Sequence, residues 1–308
     1  MKSFQFYVIV ILIAVTHSCT LNKTDYEAEI STDVTEYYEF KEVSVSNVGA
    51  YKVSIESLNG TFYKGYNEIR VKILDTQTNQ FIKKAAVKFL PIKTALNSEK
   101  SSCPHEYQLK YKPNEEYYLG YSVFLEESDA SIKWKIYIDF TVNNESYTVA
   151  PDVVIKAQPN KNLNMTTFKG KDGKEYVIAL LGPQKPKIAE NKLVAGIYQY
   201  DPPLNSPGVF PDPSQFLYSQ VKGYSLVLDP RMPEPSMGNH SSINNKNLVQ
   251  QEDGLYYGIV NYTMTGNWTL NFIMLDQNGK TIKGTQVSNE FTPGIEGAKS
   301  DLFINILF

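Results

Sequence analysis

Chemically reactive side chains are scarce in this chain. Its 308 residues hold 2 cysteines, 2 tryptophans and 3 histidines. His17 lies in the N-terminal apolar segment, so His105 and His240 are the imidazoles left for a folded body. Gly-x-Ser-x-Gly, His-Glu-x-x-His and P-loop patterns are all absent, which leaves no serine-hydrolase, zincin or phosphate-cradling signature. No enzyme is expected. Charge of one sign is lacking too: 30 basic residues stand against 33 acidic, for a net charge of -3. No sustained basic run follows the N-terminus, which argues against a nucleic-acid partner. Few stretches longer than ten residues escape a Gly, Pro or Asn-rich interruption, which excludes a helical protein.

What the chain does have is 22 Tyr and 15 Phe, with many Val, Ile and Thr, a composition suited to pleated, half-buried strands. Its length admits two ordinary domains, each with a core of its own.

The N-terminus bears on the compartment. Lys2 precedes an apolar run from Phe4 to Val15, too short to span a bilayer as a helix but suited to a signal-peptide core. The run ends in Val15-Thr16-His17-Ser18-Cys19, which resembles a bacterial lipobox, with small residues ahead of a cysteine that would carry lipid. The plainer alternative is a cysteine at the end of an ordinary signal, or one paired with Cys103. With Cys19 lipidated, Cys103 is an unpaired thiol in an oxidising compartment. The expected location is therefore the cell envelope, with the chain anchored to a membrane and facing the periplasm or the cell surface. Asn-x-Ser/Thr triplets begin at Asn22, Asn59, Asn144, Asn164, Asn239, Asn261 and Asn267. They would be glycan acceptors in a eukaryotic secreted protein, and in a bacterial one they are the chance product of an Asn- and Thr-rich composition.

Residues 20–45 are rich in Asp, Glu and Thr and are expected as a solvated tether. Alternation begins at Tyr51-Lys-Val-Ser-Ile-Glu-Ser-Leu58 and continues at Asn67-Glu-Ile-Arg-Val-Lys-Ile-Leu74. A period of two puts one face of each segment in a core. Ala85 to Leu90 predicts another strand, closed by Pro91, and Ile92 to Glu106 a loop. Tyr117 to Leu125 and Trp134 to Phe140 predict two more strands. Residues 157 to 164 form a short linker.

The second half repeats this order. Tyr176 to Leu181 corresponds to the Tyr51 strand, Asn191 to Ile197 to the Asn67 strand, and Tyr224 to Pro230 to Ala85 to Pro91. Tyr257-Gly258 matches Leu119-Gly120, Trp268 to Phe272 matches Trp134 to Ile138, and His240 is aligned with His105. Rare residues in preserved order point to duplication. The expected fold class is all-β: two tandem immunoglobulin-like antiparallel β-sandwich domains, residues 46–157 and 165–308, after a signal peptide (1–19) and the tether.

Gly254-Leu-Tyr-Tyr-Gly-Ile-Val-Asn-Tyr-Thr-Met-Thr-Gly-Asn-Trp268-Thr-Leu, preceded by Met232-Pro and Met237-Gly-Asn-His240, resembles the YtkA-like family of extracytoplasmic β-sandwich domains, related to FixH-like proteins. The resemblance covers about residues 220 to 285 and extends faintly over 65 to 142. It implies an immunoglobulin-like fold in the cell envelope, in settings tied to copper handling or respiratory oxidase assembly, without implying an activity. Glu234-Pro235 and Asn239 depart from the family's Met-Pro-x-Met-x-His form.

Two thioethers and an imidazole gather at Met232, Met237 and His240, a soft donor set suited to Cu(I). Prolines on either side of Glu234 would stiffen the loop. The alternative is that both methionines anchor the loop on the sandwich edge and His240 is a surface hydrogen-bonding residue. Cys103 and His105 form a second candidate pair, set against an inert loop thiol. Met264 and Met274 are expected on strands, as core. Two functions are carried forward: Cu(I) binding or delivery by the second domain, and a metal-free module that uses its Tyr-rich loops and the Pro-rich insertion from Pro202 to Pro213 to hold an envelope protein or a glycan.

Overall fold

The computed structural model describes residues 39–308; Cys19, the signal peptide and residues 20–38 of the expected tether lie outside them. The described residues are all-β, built from antiparallel sheets and one short parallel pair between Phe62–Tyr63 and Ile155–Lys156. Its first half runs through β1 (Phe40–Val48), β2 (Tyr51–Leu58), β3 (Phe62–Tyr63), β4 (Gly65–Asp75), β5 (Gln80–Phe81) and β6 (Ala86–Ala95). It continues with β7 (Lys100–Ser101), β8 (Lys110–Lys112), β9 (Tyr117–Phe124), β10 (Ile132–Val142), β11 (Glu145–Val149), β12 (Asp152–Val153) and β13 (Ile155–Lys156). The second half runs through β14 (Met165–Lys169), β15 (Glu175–Gly182), β16 (Glu190–Asp201), β17 (Leu217–Gln220), β18 (Ser225–Met232) and β19 (His240–Ser241). It ends with β20 (Lys246–Gln250), β21 (Tyr256–Asn261), β22 (Asn267–Leu275), β23 (Thr281–Lys283) and β24 (Phe303–Leu307).

In the first half, β1-β2-β4-β9-β8 face β11-β10-β6-β7. The second half has the same neighbours in β14-β15-β16-β21-β20 and β23-β22-β18, joined into one nearly closed sheet because β20 pairs with both β21 and β18. Equivalent side chains do equivalent work. The buried Asn67 amide donates to the Tyr63 and Gly65 carbonyls and accepts from the Tyr63 N–H. The buried Asn191 amide does the same with Lys187 and Ala189. Trp134 and Trp268 are both fully buried, and each indole N–H donates to a carbonyl at the start of its strand's approach, Glu126 and Met264. A large aromatic body finds apolar neighbours while its single donor is satisfied.

Each half has its own apolar core, one around Trp134, Phe89, Phe124 and Ile136, the other around Trp268, Phe272, Leu226 and Ile197. A third layer joins the halves: Val123, Val177, Ala179 and Tyr198 are buried together, with Tyr66 and Tyr121 packed against them. The Tyr121 and Tyr198 rings lie 5.4 Å apart. The Pro-rich insertion reaches the same first half, where Phe210 sets its ring edge-on to Tyr137 at 5.7 Å and lies beneath the Lys100 ammonium at 4.0 Å.

Three expectations change. Strand β1 begins at Phe40, within the stretch read as tether, where Phe40 pairs with Leu58 and the Arg70 guanidinium covers its ring at 3.4 Å. Pro91 does not end β6, which continues to Ala95. Its partner Ile136 sends its N–H to Pro151, so the ladder has no bond to lose where proline lacks a donor. Met264 lies in the turn before β22, half-buried against the core, while Met274 is on β22 and buried as expected.

Candidate functional site

The Met-Pro loop is a reversal at the end of β18. Pro235–Met237 makes a single 3-10 turn, and Gly238 and Asn239 follow with left-handed φ of 63° and 53°. Glycine and asparagine are the residues that accept that conformation readily. Two such residues in succession turn the chain back so that His240 pairs directly with Met232. Opposite residues of an antiparallel pair put their side chains on the same face.

The three candidate ligands are nevertheless in different environments. Met232 is fully buried in the second core, its Cε packed so closely on Gly266 that a Cβ there would stand 2.7 Å away. Met237 is half-buried on the edge of that core. His240 presents its ring edge to Trp268 at 5.9 Å and brings Nε2 within 2.8 Å of the Thr263 hydroxyl. Met237 and His240 are thus the half-buried members of the set, whereas Met232 belongs to the core. Among the described residues no three His, Cys, Asp or Glu side chains gather so as to hold a metal.

The loop is clasped by residues 284–300, which carry no alternation and which sequence reasoning passed over. The Asn239 amide donates to the Ser288 and Glu290 carbonyls, and the Gly297 N–H donates to the Pro233 carbonyl. Beneath it, Arg231 is buried, its Nε bonded to both Asp229 carboxylate oxygens (3.1 and 3.0 Å) and its Nη2 to Asn289. A buried guanidinium needs such a fork of acceptors. The signal available in the sequence was the Arg231 between two apolar positions, which predicted a partner without saying where it lay.

Cys103 and His105 sit in the first core. The Cys103 thiol lies 3.2 Å from the Ser122 hydroxyl, and burial pushes its pKa up to about 12, so the thiol is the form present at neutral pH. His105 Nδ1 lies 2.8 Å from the Cys103 carbonyl oxygen and must donate to it, because a carbonyl can only accept. Burial pushes His105 down to about 4 and keeps it neutral. The alignment of His105 with His240 is corrected by the ladder. Met232 stands opposite His240 as Lys93 stands opposite Ser101, so His240 corresponds to Ser101, and His105 instead bridges to Ser122.

No helix among the described residues is long and apolar enough to cross a membrane. No family model matches the chain, and no curated protein does. Among solved structures it is similar to "the crystal structure of the conserved domain protein from Bacillus anthracis", at 12% identity over 89% of this chain and 93% of that one. The TM-score of 0.31 is too low to carry an argument about either fold or function.

Proposed function

We propose that this chain is a non-enzymatic binding or scaffold protein of the bacterial cell envelope, anchored through lipid on Cys19, that holds an envelope protein or glycan through its loops. The observation behind this reading is that its chemically capable side chains are occupied in the fold while large apolar ones stand exposed on loops. His105, Cys103 and Arg231 are all buried and hydrogen-bonded. Leu204 is 97% exposed and Val209 93%, both in the Pro-rich insertion. Phe210 ties that insertion to the first half. Single exposed apolar residues need no explanation, but two in one short, proline-stiffened loop mark a contact surface.

The test replaces Leu204 and, separately, Val209 with a photo-crosslinking amino acid in intact cells, beside Cys19→Ala. Discrete crosslinked partners, together with loss of membrane association and of incorporated fatty acid in Cys19→Ala, are the expected results. Membrane association and fatty-acid content unaffected by Cys19→Ala would overturn the anchor, and absence of crosslinks from both positions would overturn the contact surface.

The second reading, Cu(I) handling of the kind that the YtkA-like resemblance implies, has one observation in its favour: the β18–β19 register sets Met232 and His240 on one face with Met237 between them in sequence. Met237 and His240 would take the cation at the surface, and Met232 would join only by leaving the core. A Cu(I) competition titration on residues 20–308 should then show stoichiometric binding that Met237→Leu with His240→Gln abolishes. Equal affinity of the variant and the parent would remove this reading.

A further inference from the structure

The nearly closed sheet of the second half has one seam, where its two end strands face each other. β14 pairs on one side with β15, and β24 pairs on one side with β22. At one end the seam is shut by the Lys171 N–H donating to the Ile282 carbonyl at 2.8 Å. Below that closure, residues 164–168 and 301–305 line a groove of about 230 Å³, and no backbone hydrogen bond joins β14 to β24.

The ladders fix which backbone groups point into the groove. Leu180 N–H donates to the Asn164 carbonyl, and Phe272 N–H to the Leu302 carbonyl. Antiparallel pairing alternates, so Met165 and Thr167 on β14, and Phe303 and Asn305 on β24, turn their N–H and C=O groups outward. One amide already sits between the two rims. Asn164 Oδ1 accepts from the Met165 N–H at 2.8 Å, and Asn164 Nδ2 donates to the Asn305 carbonyl at 3.1 Å. That single side-chain amide makes the two bonds that a peptide group of an intervening strand would make. The groove's inner side is apolar: Leu302 and Ile304 are buried, and Phe168 packs against the same core.

We propose that this seam accepts an extended peptide segment of a partner protein, which displaces the Asn164 amide and pairs with both edges, antiparallel to one and parallel to the other. The outward Thr167 and Phe303 groups supply affinity through the main chain. The buried Leu302 and Ile304 select a segment whose alternate residues are apolar. The five-residue rims admit roughly 17 Å of extended chain, at about 3.3 Å per residue. The inference gives the scaffold reading a partner chemistry, on a surface other than the Pro-rich insertion, and it is independent of the copper reading.

The test uses an acetylated, amidated eight-residue peptide of alternating Val and Thr, and the same peptide N-methylated at every second residue. The expected result is uptake of the first only, with at least tenfold slower hydrogen exchange at the amides of Thr167, Phe303 and Asn305. Thr167→Pro removes one outward donor from an edge position and should weaken uptake at least tenfold; if it does not fold, the N-methylated peptide serves the same purpose. No uptake of the unmodified peptide, or equal uptake of both, would overturn the proposal. A dimer of the chain that the peptide dissociates would also overturn it, by giving the seam to a second copy. Absence of crosslinks at both Leu204 and Val209 with peptide uptake intact would overturn the loop-contact reading alone.

Discussion

His105 should make the stability of the first half fall as pH drops through the range in which histidine ordinarily titrates. Its ring is 6% exposed, packed at 6.3 Å from Phe89 and bonded through Nδ1 to the Cys103 carbonyl, and burial lowers its pKa to about 4. The unfolded chain would hold a histidine near 6.5. The unfolded state thus binds more protons between those values, so folding stability is fully present above about pH 6.5 and is lost as pH falls toward 4. Linkage with these two values gives roughly 2 kcal/mol lost between pH 7.5 and pH 5. Carboxylates titrate mostly below that window, so the slope can be assigned. Urea unfolding of residues 20–308 at half-unit pH steps, followed by fluorescence of the two tryptophans, is the assay. His105→Asn keeps a donor near the Nδ1 position and removes the titration. It should be less stable at pH 7.5 because it opens a cavity, but its stability should hardly change down to pH 5. Parallel slopes for parent and variant would refute the reasoning, as would a His105 ring signal that titrates near 6.5 in the folded protein.

Asn191→Ala would leave the Lys187 N–H and the Lys187 and Ala189 carbonyls without their partner, three bonds at 2.9, 2.8 and 2.7 Å, and should cost about 2–3 kcal/mol in chemical denaturation. The Cys103 thiol, buried and with its pKa pushed up to about 12, should resist an aromatic disulfide reagent at pH 8 in the native protein and react fully in denaturant; rapid native labelling would contradict its placement. Gly120 and Gly258 occupy matched positions, yet their alanine variants should differ. A Cβ at Gly258 would meet the Lys246 carbonyl oxygen at 2.6 Å, whereas at Gly120 the closest atom is the Leu109 side-chain end at 2.3 Å. Gly258→Ala should therefore lose on the order of 1–3 kcal/mol and Gly120→Ala less, since a methyl can rotate away and a carbonyl in a ladder cannot.

Sequence periodicity determined which face of each central strand is buried. The alternation at Ile69, Val71 and Ile73, and at Trp134, Ile136, Ile138 and Phe140, is the alternation of buried residues found in β4 and β10, because side chains of a strand can only take opposite sides in turn. The likeness of particular residues in the two halves was legible for the same reason: Asn67 and Asn191, Gly120 and Gly258, and the two tryptophans each answer a similar local demand. The pairing of the histidines was not legible. Counting residues aligns His240 with His105, and only the ladder register shows that the turn at Gly238 and Asn239 puts His240 opposite Met232. Local sequence likewise placed three candidate ligands within nine residues, but Met232 is buried in a core assembled from residues remote in the chain and is packed on Gly266, also remote. The clasp on the Met-Pro loop, the Tyr121–Tyr198 layer and the open seam between β14 and β24 all join segments distant in sequence. Periodicity fixes which way a side chain faces within its own strand, whereas what it meets there is set by the register and closure of sheets whose strands come from the whole length of the chain.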